Sequence, residues 1–248
     1  MSRAVLEVQG LNKSFGALHA TQDLSFRVNA GEVHALIGPN GAGKTTLIQQ
    51  IYGALKPDSG RVLINGLDIT SLPIPGRVRA GIGRSFQISN VLMDFTVLGN
   101  AIVAEQARLR QSFQFLKPAF GDKDLKAGAY DILRRVGLED RAGYPASDLA
   151  HGERRMLELA LALATAPQIL LLDEPMAGAG TEESQRMSEI IERLRGDVAI
   201  LLIEHDMDAV FRLADRITVM VEGAVIASGT ADEISNSAAV QTAYLGSA

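Results

Sequence analysis

Nine residues, GPNGAGKTT at 38–46, satisfy the pattern G-x-x-x-x-G-K-[ST] through Gly38, Gly43, Lys44 and Thr45, and that pattern is chemistry for polyphosphate. Pro39, Asn40, Gly41 and Ala42 complete a loop whose glycines let successive backbone N–H groups turn inward on phosphate oxygens. The helix beginning here adds the partial positive charge of its N-terminus. Lys44 reaches the outer phosphates, and the Thr45 hydroxyl, with Thr46 beside it, opens the helix where Mg²⁺ can be held. The bland alternative is a glycine-rich turn that caps a helix.

A second stretch, ILLLDEP at 169–175, carries Asp173 and Glu174 to the end of an apolar run. Ligands of open parallel sheets bind at such strand ends. Asp173 is placed to hold Mg²⁺, directly or through water, and Glu174 to polarise an attacking water as general base. Taken alone, Asp-Glu-Pro merely ends a strand at a polar turn; the cradle beside it makes it half of a site. Three further residues suit a nucleotide. Gln87 in RSFQ has an amide suited to ligate Mg²⁺ and report the γ-phosphate. His205 in LLIEHDM ends another apolar run within reach of a γ-phosphate, although a lone His there is more often structural. Phe15 in KSFG can stack a base by its face or pack in the core. The stretch DLAHGERR at 148–155 has Gly152 where backbone can approach a ligand and a helix-periodic run after it, yet neither lysine nor carboxylate pair. It reads as half of a phosphate site.

The elements that must position these residues follow from periodicity. VLEVQGL, DLSFRV, EVHALIG and GRVLING, all within the first 70 residues, read as strands, interrupted by one helix at 44–55. Between about 88 and 160 the texture turns helical, in NAIVAEQARLRQSF (100–113) and AGAYDILRRVGL (127–138). ILLLD, VAILLIE and ITVMV are apolar without alternation, as strands buried on both faces of a parallel sheet are, with a helix at 182–195 between the first two. The tail NSAAVQTAYLGSA is small and polar. At 248 residues the expectation is one compact α/β unit with an inserted helical subdomain.

A net charge of −5 argues against the broad basic footprint of nucleic-acid binding. The absence of cysteine removes disulfides and thiolate chemistry and fits a reducing compartment such as the cytosol. The start MSRAVLEVQG does not read as a secretory signal, and no run approaches 18 apolar residues, so a peripheral rather than spanning protein is expected.

In this order, Phe15, the cradle, Gln87, the helical insert, LAHGERR, ILLLDEP and His205 resemble the ATP-binding-cassette family over essentially the whole chain. The resemblance implies a P-loop NTPase core, with a RecA-like parallel sheet and an N-terminal antiparallel β subdomain, formed by 1–87 and 161–248. An α-helical subdomain at 88–160 would carry the signature motif. It implies ATP and Mg²⁺ as ligands, and it implies that Ala150, His151, Gly152 and Glu153 complete an ATP site on a second cassette, so that two copies sandwich two nucleotides. Two departures stand out. The family's signature commonly reads Leu-Ser-Gly-Gly-Gln, and Ala150 here lacks the hydroxyl. The loop after the general base commonly reads Ser-Ala-Leu-Asp, where this chain has Ala177, Gly178, Ala179 and Gly180. RSFQ, EPMAGAG, LLIEHDM and AYLG resemble cassettes of importers of branched-chain or hydrophobic amino acids, the member of the pair that keeps glutamine at 87. Such a resemblance implies a second, usually different, cassette, transmembrane permease subunits, a periplasmic solute-binding protein and a place on the cytoplasmic face of the membrane. Urea and amide importers have similar cassettes, and a soluble non-transport cassette or a non-hydrolysing regulatory module are the alternatives of other classes.

Overall fold

The computed structural model describes residues 3–85, 91–109 and 122–245. β1 (Ala4–Phe15) and β2 (Leu18–Asn29) form a long antiparallel hairpin, longer at both ends than the apolar runs suggest because ladder bonds carry polar residues along with them. β3 (Val33–Ile37) is buried throughout. It feeds α1 (Lys44–Tyr52), which starts at Gly43 (φ 99°) and stops at Gly53 (φ 90°), two positions whose left-handed backbone favours glycine. β4 (Ser59–Ile64), β5 (Leu67–Asp68), α2 (Ile74–Arg79) and β6 (Ile82–Arg84) follow.

The next helices begin at side-chain caps. The Thr96 hydroxyl accepts from Gly99 N at the start of α3 (Val97–Arg108), and the Asp122 carboxylate accepts from Asp124 N and Leu125 N at the start of α4 (Lys123–Val136). Residues 110–113 of the expected first helix lie outside the described residues. α5 (His151–Ala164) comes next, then β7 (Ile169–Asp173), α6 (Thr181–Leu194), β8 (Ala199–Ile203), α7 (Met207–Leu213), β9 (Arg216–Val221), β10 (Ala224–Gly229), α8 (Ala231–Ser235) and α9 (Ala238–Leu245). The last helix lies within the small, polar tail NSAAVQTAYLGSA. Its alanines are good helix formers, and small size does not disfavour a helix.

Two sheets organise these elements. One runs β2-β1-β4-β5, antiparallel, and the other β10-β9-β3-β8-β7-β6, in which β9, β3, β8 and β7 are mutually parallel and β10 is antiparallel. β3, β7 and β8 have no exposed residue, and each leucine or isoleucine so buried contributes about 1.5–3 kcal/mol. The chain divides into two compact units: one takes residues up to 82, 168–175 and from 191 on, the other 83–167 and 176–190. In the second unit α3, α4 and α5 pack on one another. Among the described residues no helix is long and apolar enough to cross a membrane.

Arg77, on α2, is only 2% exposed. Its guanidinium donates to four carbonyls, those of Leu72 (3.0 Å), Gln50 (2.5 Å), Ile51 (2.8 Å) and Thr70 (2.6 Å). Gln50 and Ile51 lie in the last turn of α1, where carbonyls lack intrahelical donors and the helix dipole is negative. Burial pulls the Arg77 pKa below the usual guanidinium value, with Asp68 opposing. A cation thus closes the far end of the helix that begins at Lys44.

Candidate functional site

β3 ends directly at Gly38, so the buried sheet fixes where the cradle starts. A Cβ on Gly38 (φ 155°) would lie 2.1 Å from the Met220 carbonyl oxygen, and one on Gly43 would lie 2.1 Å from that of Ala20. Only glycine fits either position. The carbonyl of Ala42 accepts from Gly223 N at 3.0 Å, tying the loop to the β9–β10 turn. The first turn of α1 holds no acidic residue and no side-chain cap, which leaves its leading N–H groups without an internal acceptor. Thr45 is exposed in that turn, and Thr46 is half-buried.

Lys44 Nζ donates to the Gly38 and Pro39 carbonyls at 2.6 and 3.0 Å. Burial lowers its pKa, and the charges of Glu174 and Asp173 oppose that shift. The three groups therefore share one electrostatic neighbourhood. Asp173 is buried at the end of β7, opposite Ile203 of β8. Glu174 follows with φ 51°, its N–H donating to Ile203 O at 2.9 Å. A left-handed backbone at a non-glycine residue costs on the order of 1 kcal/mol and persists only where its surroundings hold it; here it breaks the strand between the two acids.

His205 lies just past β8 with two-thirds of its side chain exposed, its N–H donating to the buried Glu204 carboxylate at 3.2 Å. Phe15 ends β1 with 51% exposure and the Lys13 ammonium 5.6 Å from its ring centroid, so core packing is not its role. Gln87 lies outside the described residues.

In the second unit, Ala150 occupies the N-cap of α5 and has no oxygen with which to cap it. Glu153 supplies the other half of the cap by accepting from Ala150 N at 3.1 Å. Arg141 holds Glu153 at 2.8 Å and its own guanidinium lies 4.9 Å from the Tyr144 ring centroid. His151 is exposed, whereas Gly152 is buried with Glu183 so close that a Cβ would meet its carboxyl carbon at 2.7 Å. Arg155 donates to the Ala177 carbonyl, joining α5 to the loop that replaces Ser-Ala-Leu-Asp. Glu153 at the third helical position was readable as a cap partner; Arg141, twelve residues earlier, has no local signal that marks it.

A parallel sheet ending in a glycine cradle and an acid pair defines a P-loop NTPase. A family model described as ABC transporter matches residues 21–177, and one described as branched-chain amino acid ATP-binding cassette transporter matches residues 224–248. The high-affinity branched-chain amino acid transport ATP-binding protein LivG of Salmonella typhimurium is 40% identical, with 100% of each chain covered. BraF of Pseudomonas aeruginosa, which has the same description, is 38% identical, again with 100% of each covered. The structure superposes with a TM-score of 0.86 on an ATP-binding cassette of an ABC transporter in its ADP conformation, at 31% identity over 98% of this chain and 99% of that one. The chain belongs to the ABC transporter family, as one of its ATP-binding cassettes, which hydrolyse ATP.

Proposed function

We propose that this chain powers the import of branched-chain or other hydrophobic amino acids, as the ATP-hydrolysing subunit of a transporter. The observation that carries the reading is the full-length relation to LivG, with no part of either chain left over, joined by the match of residues 224–248 to the branched-chain amino acid cassette model. Within the fold, residues 1–87 and 161–248 serve as the nucleotide core and 88–160 as the helical subdomain.

Each site residue then has a part in ATP hydrolysis. The exposed ring of Phe15 stacks on the adenine. The cradle from Gly38 to Thr46 turns its N–H groups on the phosphates, and Lys44 exchanges its two carbonyl partners for phosphate oxygens, a charge-assisted bond worth about 1.5–3 kcal/mol. Among the described residues no three His, Cys, Asp or Glu cluster to hold a metal. A hydroxyl at Thr45, the carboxylate of Asp173 and the amide of Gln87 are the hard oxygen donors that Mg²⁺ takes when the remaining ligands are phosphate and water. When bound, Mg²⁺ neutralises charge developing on the phosphates. Glu174 takes the proton of the attacking water, and His205 contacts the γ-phosphate. Ala150, His151, Gly152 and Glu153 close the site on a second cassette, different or identical, with backbone N–H groups replacing the missing hydroxyl.

The cassette works at the cytoplasmic face, bound to transmembrane permease subunits and through them to an extracytoplasmic solute-binding protein. Leu92 and Phe95, 43% and 38% exposed in the second unit, supply apolar surface for a permease helix. The test is Glu174→Gln, measured for ATP affinity and phosphate release, alone and with the partner cassette. Affinity is expected to hold and turnover to fall about 10²- to 10⁴-fold, with ATP-dependent dimers on a sizing column. A variant that still turns over ATP at the wild-type rate would sink the assignment of the base.

A further inference from the structure

Asp58, in the loop that leads into β4, bonds to three consecutive residues of β1. Its N–H donates to the Asn12 carbonyl at 2.8 Å, its Oδ1 accepts from Lys13 Nζ at 2.7 Å, and its Oδ2 accepts from Ser14 N at 2.8 Å. The bonds from Lys13 and Ser14 hold the carboxyl below the usual carboxylate value. The Asn12 amide adds a bond to Ser59 Oγ, beside Asp58, at 3.1 Å. A lone lysine–aspartate pair at a surface adds little to stability, so the consequence of this clamp lies in where it leaves the ammonium.

Lys13 and Phe15 are two apart on one strand and share a face of it. The lysine side chain, only 16% exposed, carries its ammonium to 5.6 Å from the centroid of the Phe15 ring. Asp58 attracts the cation from one side and the negative face of the ring from the other. Phe15 is nevertheless half exposed, and a Cβ on Gly16, next in the turn, would meet nothing within 4 Å. One face of the ring therefore carries a cation and the other is open. The hairpin also fixes where that open face stands. Phe15 pairs with Leu18; Ala20, two residues further along β2, is the extra residue between the Ser14–His19 and Lys13–Thr21 pairs, and its carbonyl lies against Gly43. The ring is thus roughly 7 Å along the strand from a fixed point of the cradle.

We propose that Lys13 is a positioning residue for the nucleotide base: clamped by Asp58, its ammonium occupies one face of Phe15, fixes the orientation of the ring and leaves the opposite face to the adenine. The inference rests on the reading of Phe15 as the base-stacking ring and adds what prepares that ring. Two effects act. A ring at the end of a hairpin must be ordered when a base arrives, and one held in place beforehand removes that cost from binding. Aromatic faces also repel one another through their negative quadrupoles when stacked in parallel; a cation behind one ring draws electron density from its front and weakens the repulsion. Both effects favour a base and neither acts on phosphates. Lys13 itself stays on Asp58 and touches no part of the nucleotide.

Calorimetric titration of the full chain with ADP and with inorganic tripolyphosphate, which has no base, tests this. Lys13→Met keeps the stem and removes the charge; it should weaken ADP about two- to fivefold and leave tripolyphosphate as in wild type. Lys13→Arg should bind ADP within about twofold of wild type, because a guanidinium also pairs with a carboxylate and lies over a ring. Asp58→Asn keeps an acceptor for Ser14 N but frees the ammonium, and should weaken ADP in the same sense as Lys13→Met. In a Phe15→Ala background Lys13→Met should cost nothing further. A loss that persists in that background, or that falls equally on tripolyphosphate, means that the lysine touches the nucleotide or supports the fold at large, and overturns the positioning role. An arginine variant as weak as the methionine one overturns the part of the charge, and Asp58→Asn at wild-type affinity overturns the clamp. If Phe15→Ala weakens ADP while Lys13→Met does not, this inference alone falls; if Phe15→Ala leaves ADP affinity unchanged, the base-stacking reading falls and takes the inference with it.

Discussion

Replacing Arg77 by methionine keeps much of the side-chain length and removes every donor. Four carbonyls then lose a partner, the buried ones of Gln50 and Ile51 and the half-buried ones of Leu72 and Thr70. An unpaired buried acceptor costs about 1–3 kcal/mol, and carbonyls, with a second lone pair, belong in the lower half, so the buried pair at about 1.5 kcal/mol each and the half-buried pair at about 0.5 kcal/mol each cost about 4 kcal/mol. The guanidinium no longer has to be desolvated, which returns part of this. The net loss is expected near 3 kcal/mol, a fall in Tm of about 6–12 °C for a chain of this size. Arg77→Lys should fall between, because one ammonium cannot serve the end of α1 and the Leu72 and Thr70 carbonyls together. The assay is a thermal melt with a parallel ATP titration on the folded protein, since the change is at the opposite end of α1 from Lys44. A methionine variant that melts within about 2 °C of wild type would refute the reasoning, and a lysine variant indistinguishable from wild type would refute the part played by the planar fork.

Phe15→Ala should raise the dissociation constants of ATP and ADP alike, by roughly fivefold for about 1 kcal/mol of stacking; a change confined to ATP in a binding titration would mean that the ring senses the γ-phosphate. Leu92→Glu and Phe95→Glu should each abolish co-purification with the permease subunits while the melt and ATP affinity stay as in wild type, and normal co-purification of both would place the docking surface elsewhere. Glu32 has a folded-state pKa below its ordinary value of 4.5, so it contributes stability that is present above about pH 4.5 and lost as pH falls through the lower folded value. Tm measured from pH 6 down to pH 3 should therefore drop less steeply in Glu32→Gln than in wild type.

The cradle was legible because its requirements are local: Gly38 and Gly43 sit at fixed distances from Lys44, and an apolar strand precedes them. The parallel sheet was legible for a similar reason, since ILLLD, VAILLIE and ITVMV are apolar runs without alternation; that the strand at 33–37 lies between two of them did not show, because it follows the hairpin strands in sequence. What the sequence hid is long-range. Arg77 sits in an unremarkable GRVR, and nothing nearby says that it closes a helix more than twenty residues earlier. Arg141 supports the start of α5 only because folding brings it to Glu153. Phe15 was open between stacking and core, and only its exposure in the fold removes the core reading. Hydrogen bonds run from Ser228 through Thr218 and His34 to Glu32, joining three strands and the turn before one of them, and no spacing rule links these residues.

The two glycine contacts of the cradle bear on the entropy of nucleotide binding. Gly38 lies against the backbone of Met220 and Gly43 against that of Ala20, while Ala42 is bonded to Gly223. The loop is therefore fixed at its first residue and at Ala42 and Gly43 by two strands and a turn that fold without reference to a ligand. Its conformational freedom is surrendered when the chain folds, at roughly 1–2 kcal/mol per residue, and is not charged again when a phosphate arrives. Nucleotide affinity in this cassette should then follow the polar contacts themselves, with little lost to ordering, and the loop should present nearly the same backbone before and after ATP is cleaved.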